Sequence, residues 1–198
     1  MRSLRDTQQY GDPDGEAEAL GISAANWSLF GVVWDSSQVL ARLMVDFNIE
    51  GKRILELGCG MALSSLLLNR RGGNITATDY HPQAGVFLLA NTRLNEDGDI
   101  PFFRADWGDT EATNGRFDLI IGSDVLYERS MLPLLARFIQ DHALDRCEVV
   151  LVDPGRNQQG PFTREMAQYG FTLSKEKPAD SPYLTKAFTG SVLRYCRH

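Results

Sequence analysis

The sequence is short of cysteine, of histidine and of long apolar runs, and each shortage argues against something. Cys59, Cys147 and Cys196 are its three cysteines, an odd number with no CxxC pair. A disulfide framework or zinc ribbon is therefore not expected, and the thiols read as reduced, as in a cytoplasmic protein. His81, His142 and His198 are scattered and lack any HExxH pattern, so no metal site is expected. No stretch approaches the roughly 18 apolar residues of a membrane span. The first twenty residues also lack the apolar centre of a secretory leader, so neither membrane nor export is expected. Basic excess is absent too, since 20 Lys and Arg face 26 Asp and Glu for a net charge of -6. That disfavours a general nucleic-acid binder, although a local basic patch stays open.

What is present is an ordinary globular composition, 43% hydrophobic and 23% charged, at a length that suits one domain and a monomer. Residues 1–18 are polar and turn-rich, and predict a flexible arm before a single domain over 19–198. Asp35 or Ser36 is placed to cap a helix running to about Phe47, with Val39, Leu40, Leu43 and Met44 at helical spacing. After Gly51, strand and helix patterns alternate. The strands are RILEL, NITATDY, IPFFRADW, FDLIIGSD and CEVVLVDPG. The helices begin near Met61, Pro82, Leu132 and residue 161. Residues 171–178 and 184–197 read as two terminal strands without a helix between them, hence antiparallel. The expected architecture is an α/β, Rossmann-like, doubly wound sheet of seven strands, mostly parallel, with helices on both faces.

Ligands of such sheets bind outside the carboxyl ends of the strands. Glu56, Asp79, Asp106, Asp124 and Asp153 all stand at those ends. In ILELGCGMAL, Gly58 and Gly60 permit a sharp turn and close approach of a ligand to backbone, though a plain strand-to-helix turn would use them too. A dinucleotide fingerprint would want a third glycine where Leu63 stands. Asp79 can accept both hydroxyl protons of a ribose, or cap the helix at Pro82. Asp106 and Trp107 suit an adenine amino group and ring, or form a surface acid beside a core aromatic. Together they predict an adenosine pocket with no phosphate requirement, and S-adenosylmethionine is the natural candidate. Glu56 suits the cationic part of its methionine end.

LELGCG, TATDYHP, ADW and FDLIIGSDVLYE, in this order, resemble the seven-β-strand S-adenosylmethionine-dependent methyltransferases. VVWDSSQVLARLM and SDVLYE are similar to the lysine-methyltransferase-like group, methyltransferase family 16, over about 27–195. VDPGR is similar to the stretch after the fifth strand in the enzymes that methylate the electron-transfer flavoprotein β subunit. The resemblance implies a cofactor set of Glu56, Gly58, Cys59, Gly60, Asp79, Tyr80, Asp106, Trp107, Ser123 and Trp34. It also implies a D-x-x-Y signature of Asp124 and Tyr127 as the catalytic pair.

The expected reaction is N-methylation of a protein lysine. That amine has a reference pKa of about 10.4 and must lose a proton before it attacks. Asp124 can recruit and aim it, but a carboxylate is a poor base at neutral pH. If residues 124–127 are helical, Tyr127 lies on the same face and can pack against the amine. Both residues have plainer uses, as a helix cap and a core aromatic. Arg156 either shapes the substrate mouth, pairs with an acid or is solvated. Three alternatives stay open. One is methylation of a small-molecule amine or heteroaromatic, whose cue would be a closed pocket of Trp27, Phe30 and Tyr127. The others are an NAD-dependent oxidoreductase and a non-catalytic adenosylmethionine-binding protein. SDVLY in place of N/D-P-P-Y argues against nucleobase and glutamine amide substrates.

Overall fold

The computed structural model describes residues 1–109, 115–178 and 182–197. His198 lies outside them. The strands are β1 (Arg53–Leu57), β2 (Asn74–Asp79), β3 (Phe102–Arg104), β4 (Phe117–Ser123), β5 (Ala143–Asp153), β6 (Thr172–Glu176) and β7 (Ser191–Arg197). The helices are α1 (Glu16–Ala19), α2 (Asp35–Met44), α3 (Leu63–Arg70), α4 (Pro82–Leu94), α5 (Leu132–His142) and α6 (Gln159–Gln168).

The strands form one seven-stranded sheet in the order β3-β2-β1-β4-β5-β7-β6. β1 to β5 are parallel to their neighbours, and β7 is antiparallel to both β5 and β6. The expected antiparallel terminal pair is present, with β7 inserted between β5 and β6. Residues on the central strands alternate between two cores. Ile54, Leu119, Ile121, Val150 and Val152 face α2, α3 and α4. Leu55, Leu57, Ile120, Val149 and Leu151 face α5 and α6. Central strands buried on both sides explain the continuous apolar runs in the sequence.

Several boundaries differ from those expected, each for a local reason. α2 ends at Met44 and not near Phe47. The Arg71 guanidinium donates to the carbonyls of Met44 and Phe47, occupying acceptors left over as the helix ends. α2 is capped by the Trp34 carbonyl, which accepts from the Ser37 and Gln38 amides, and Asp35 is already helical. α3 starts at Leu63 and not Met61, because Ala62 adopts a left-handed φ of 54°. β5 begins at Ala143, four residues before the expected Cys147, because Ala143 pairs with Phe117. The last strand begins at Ser191. At Gly190 an added Cβ would lie 2.2 Å from the Asp153 carbonyl oxygen and 2.5 Å from the Phe188 ring. Only glycine lets the chain pass so close to the end of β5. The preceding loop packs Leu184 and Phe188 against the first core.

Residues 1–18, expected as an arm, contact the first core directly. Leu4 donates its amide to the Gly31 carbonyl at 2.7 Å, and Arg2 exchanges hydrogen bonds with the Asn91 side chain on α4. Asp12 accepts from the amides of Ala17 and Glu18 and so caps α1.

Candidate active site

The strand order reverses direction between β1 and β4, and ligands of open α/β sheets bind at such a point. Leu57 pairs with Gly122, so the loop after β1 and the end of β4 lie side by side. Within that loop Gly58, Gly60 and Ala62 all have left-handed φ, at 53°, 51° and 54°. Gly60 is required on a second ground, since a Cβ there would sit 3.0 Å from the Phe30 carbonyl oxygen. The Gly60 amide donates to Asp79 Oδ2 at 2.8 Å, and the His81 amide donates to Oδ1 at 2.8 Å. Asp79 therefore ties the glycine loop to the start of α4. Each of its oxygens keeps a further lone pair for an incoming hydroxyl. Burial raises the Asp79 pKa, against the lowering effect of these backbone amides. The neighbouring Cys59 thiol lies in the first core, and burial holds its pKa well above the ordinary value. The Cys59 side chain is thus committed to the core.

Glu56 is 2% exposed. Its Oε2 accepts from the Ser65 amide at 2.9 Å and from the Ser65 hydroxyl. Ser65 sits in the first turn of α3, so this carboxylate serves as a cap supplied from β1. Burial pushes its pKa up to about 7, with the Ser65 hydrogen bonds opposing and the nearby Asp79 charge adding. The folded protein then holds this proton more tightly than the unfolded chain. Its contribution to stability is full below the unfolded pKa and is lost as pH rises through about 7. The loss is on the order of 3 kcal/mol. Urea midpoints of wild type and Glu56→Gln, measured from pH 4 to pH 8, should diverge steadily, with wild type losing ground as pH rises. Parallel curves would show that Glu56 titrates normally.

The N-terminal region meets this loop at several points. Phe30 stacks on His81 with ring centroids 4.1 Å apart, and Tyr10 meets both rings edge-on. The Tyr80 hydroxyl donates to the Leu20 carbonyl at 2.6 Å. Tyr80, expected at the cofactor, thus anchors the segment entering α2. None of these contacts had a signal in the sequence, because each joins residues 20 or more positions apart through backbone carbonyls or ring faces. The third expected element is arranged differently from the first two. Asp106 is exposed and accepts from the Gly108 amide at 2.8 Å, closing its own turn. Trp107 packs half-buried against the second core. Ser123 is half-buried at the end of β4, beside the glycine loop.

β4 stops at Ser123, and residues 124–127 are not helical. The expected one-turn spacing of Asp124 and Tyr127 is therefore corrected. Asp124 takes a left-handed φ of 55°, and its amide donates to Val152 on β5 at 2.9 Å. Tyr127 is 56% exposed, and partial burial raises its hydroxyl pKa, with Asp79, Glu128 and Asp124 adding to the rise. One phenol thus feels both the expected ribose acid and the expected acceptor acid. Asp124 is not free. Arg156 Nε donates to its Oδ1 at 2.8 Å and Nη2 to its Oδ2 at 2.7 Å. Of the uses open to Arg156 in the sequence, the structure shows the ion pair. The Pro154–Gly155 turn after β5 brings it there, and its amide also meets Asp153 Oδ1 at 3.3 Å.

A cavity of about 550 Å³ opens at this point, lined by Trp34, Asp35, Asp124, Arg156, Lys186 and Phe188 among others. Trp34, expected beside the cofactor, lines it with Asp124 and is 37% exposed. Its indole Nε1 is fixed on the Leu29 carbonyl at 3.0 Å. Lys186 and Phe188 were missed in the sequence, where that stretch reads as strand. A second cavity of about 620 Å³, between Asp46 and Asn74, lies near the opposite ends of β1 and β2. Its cations are committed elsewhere, Arg71 to the end of α2 and Lys52 to Glu148. Trp27, Phe30 and Tyr127 do not form the closed pocket that would signal a small aromatic substrate. Phe30 is core, Trp27 is bound to the Ile22 carbonyl and Tyr127 faces outward.

The signature of the lysine methyltransferase family matches residues 20–167. The chain is 30% identical over 166 residues to the electron transfer flavoprotein beta subunit lysine methyltransferase of Rattus norvegicus, covering 80% of this chain and 63% of that protein. It is 32% identical over 126 residues to protein N-lysine methyltransferase METTL21A of Danio rerio, covering 58% of this chain and 57% of that protein. It therefore spans less than two thirds of those relatives' own length. Among solved structures, the ribosomal protein L11 methylase of Lactobacillus delbrueckii is similar with a TM-score of 0.66 and 17% identity, covering 84% of this chain and 81% of that one. The magnesium protoporphyrin IX methyltransferase of Synechocystis, solved with bound S-adenosylhomocysteine, gives 0.62 and 20%, covering 82% and 81%. These two share the fold.

Proposed function

Because the chain belongs to the lysine methyltransferase family, we propose that it transfers a methyl group from S-adenosylmethionine to the side-chain amine of a protein lysine. The observation that carries this reading is the placement of Asp79 and Asp124. One is hydrogen-bonded into the glycine loop and the other lines a cavity with an aromatic wall, at the ends of β2 and β4 on either side of β1. The residues present fit the cofactor. Asp79 offers two acceptor oxygens for the ribose, Gly58 and Gly60 keep the loop free of side chains, and Glu56 lies buried behind them. When bound, S-adenosylmethionine supplies an electrophilic methyl group on a sulfonium. Trp107 borders the adenine side in this reading, and Ser123 separates the two half-sites.

The chain's own work is positioning. The lysine enters along Trp34, whose indole cannot rotate freely while Nε1 is bonded. Asp124 Oδ1 or Oδ2 aligns the amine, and Tyr127 closes the outer side. The Trp34 and Phe188 rings favour the neutral amine while Asp124 opposes that shift, and the proton leaves toward solvent along the open cavity. Displacement then needs only alignment and a free lone pair. We place the protein in the cytoplasm as a monomer that uses neither nucleic acid nor membrane; the acidic net charge disfavours nucleic acid, and no helix among the described residues is long and apolar enough to cross a membrane.

Calorimetry with S-adenosylhomocysteine and with NAD tests the cofactor, and NAD binding alone would overturn the proposal. Labelled methyl transfer into a cytosolic extract tests the acceptor. Label in protein, removed by acid hydrolysis as methyl-lysine, is the expected result. Label confined to small molecules would move the substrate to a free amine.

A further inference from the structure

Resting on the lysine reading, we propose that the acceptor cavity selects a lysine flanked by an acidic side chain, with Asp124 receiving the amine and Arg156 and Lys186 receiving the neighbouring carboxylate. Both oxygens of Asp124 accept from Arg156. Each oxygen keeps a further lone pair, so an incoming amine shares the carboxylate with Arg156 and divides its charge between two cations. A substrate offering only a cation sets a second positive charge beside the guanidinium, and the two repel across the shared carboxylate. A substrate offering a cation and an anion exchanges one ion pair for two.

The positions of the charges suit that exchange. The Asp124 carboxylate is 16% exposed and Arg156 is 46% exposed, so the acid lies deeper and the cation lies outward. Arg156 stays charged, its pKa raised by the Asp124 hydrogen bonds and by the Asp124 and Asp153 charges, with burial opposing. Lys186 is exposed on the facing loop and lines the same cavity, with no ion-pair partner among the described residues. The loop that carries it is fixed at one end by the close passage of Gly190 over β5 and is packed down by Phe188. The entrance thus offers two outward cations above one deep acid. Asp35, on the α2 side of the cavity, is the opposing charge there, and it restricts the acidic flank to the Arg156 and Lys186 side.

Lysine peptides differing only in flanking Glu, Gln or Arg are presented to the S-adenosylhomocysteine-saturated protein in a calorimeter, and with S-adenosylmethionine in a mass-spectrometric rate assay. The Glu-flanked peptide should bind about tenfold tighter than the Gln-flanked one, the size of one charge-assisted contact. Lys186→Glu, at an exposed position that tolerates substitution, should shrink or invert that ratio. Arg156→Ala should flatten it, and Arg156→Lys should restore part of it. Equal binding of the Glu and Gln peptides by wild type overturns the inference. So does a preference that survives both Lys186→Glu and Arg156→Ala. Methylation of all peptides alike sinks only the flank preference. If no lysine peptide binds or is methylated while S-adenosylhomocysteine binds, the lysine reading falls with it.

Discussion

Asp124→Asn should lower methyl transfer to any lysine substrate by at least about 10²-fold, with S-adenosylhomocysteine affinity unchanged within about twofold. Asparagine is the informative replacement because Asp124 has a left-handed φ of 55°. Asn tolerates that conformation, whereas Ala adds strain of about 1–2 kcal/mol to the chemical loss. The amide keeps the side chain's shape and one carbonyl oxygen for Arg156, but carries no charge to align the amine. The backbone bond from the Asp124 amide to Val152 is untouched, so the end of β4 keeps its place. Single-turnover rates with saturating cofactor, beside calorimetry with S-adenosylhomocysteine, separate the two effects. Activity within tenfold of wild type would make the Asp124–Arg156 pair a structural clamp and remove Asp124 from the reaction.

The complementary loss is expected at Asp79. Asp79→Asn should weaken S-adenosylhomocysteine binding by about 10²-fold or more, the equivalent of two hydrogen bonds to a charged acceptor. Rates at saturating cofactor should fall much less. The same substitution tests the loop, because Asp79 also accepts from the Gly60 and His81 amides. Asn can keep one of those bonds and must face the other amide with its own NH₂ group. Some thermal destabilisation is therefore expected, and a melting curve measured in parallel isolates it. Because burial raises the Asp79 pKa, cofactor affinity of wild type should begin to fall at a higher pH on acidification than an ordinary carboxylate would allow. Affinity unchanged in Asp79→Asn would place the ribose elsewhere.

The sheet was legible because its central strands are buried on both faces and end in glycine or acid, a pattern few other architectures produce. RILEL, NITATD and FDLIIGS each became a strand with little change. The glycine loop and Asp79 were legible for the same reason, since they are fixed by the strand ends themselves. The relation of Asp124 to Tyr127 was not. A spacing of three residues suggests a helix, but the left-handed turn at Asp124 sends the chain elsewhere, and an aspartate tolerates such a turn without announcing it. The arginine on Asp124 comes from a different strand end, and its sequence signal was only the Asp153-Pro154-Gly155-Arg156 turn. Lys186 and Phe188 were hidden because Thr, Ala and Phe after Leu184 look like strand. Gly190, passing over β5, decides otherwise through a backbone contact that sequence does not display.

The place of β7 between β5 and β6 has a consequence for the order in which the protein is completed. A growing chain that has just released β6 holds it without a strand neighbour, because among the described residues β6 pairs only with β7. Until β7 arrives, β5 also presents an open edge to other chains, a situation that invites aggregation. When β7 inserts, it covers the edge of β5, gives β6 a neighbour on one side, and draws Gly190 over the end of β5. The wall that carries Lys186 is thereby set in place. The loop carrying Lys186 leads directly into β7, so in this topology the pairing of β7 and the setting of that cavity wall go together.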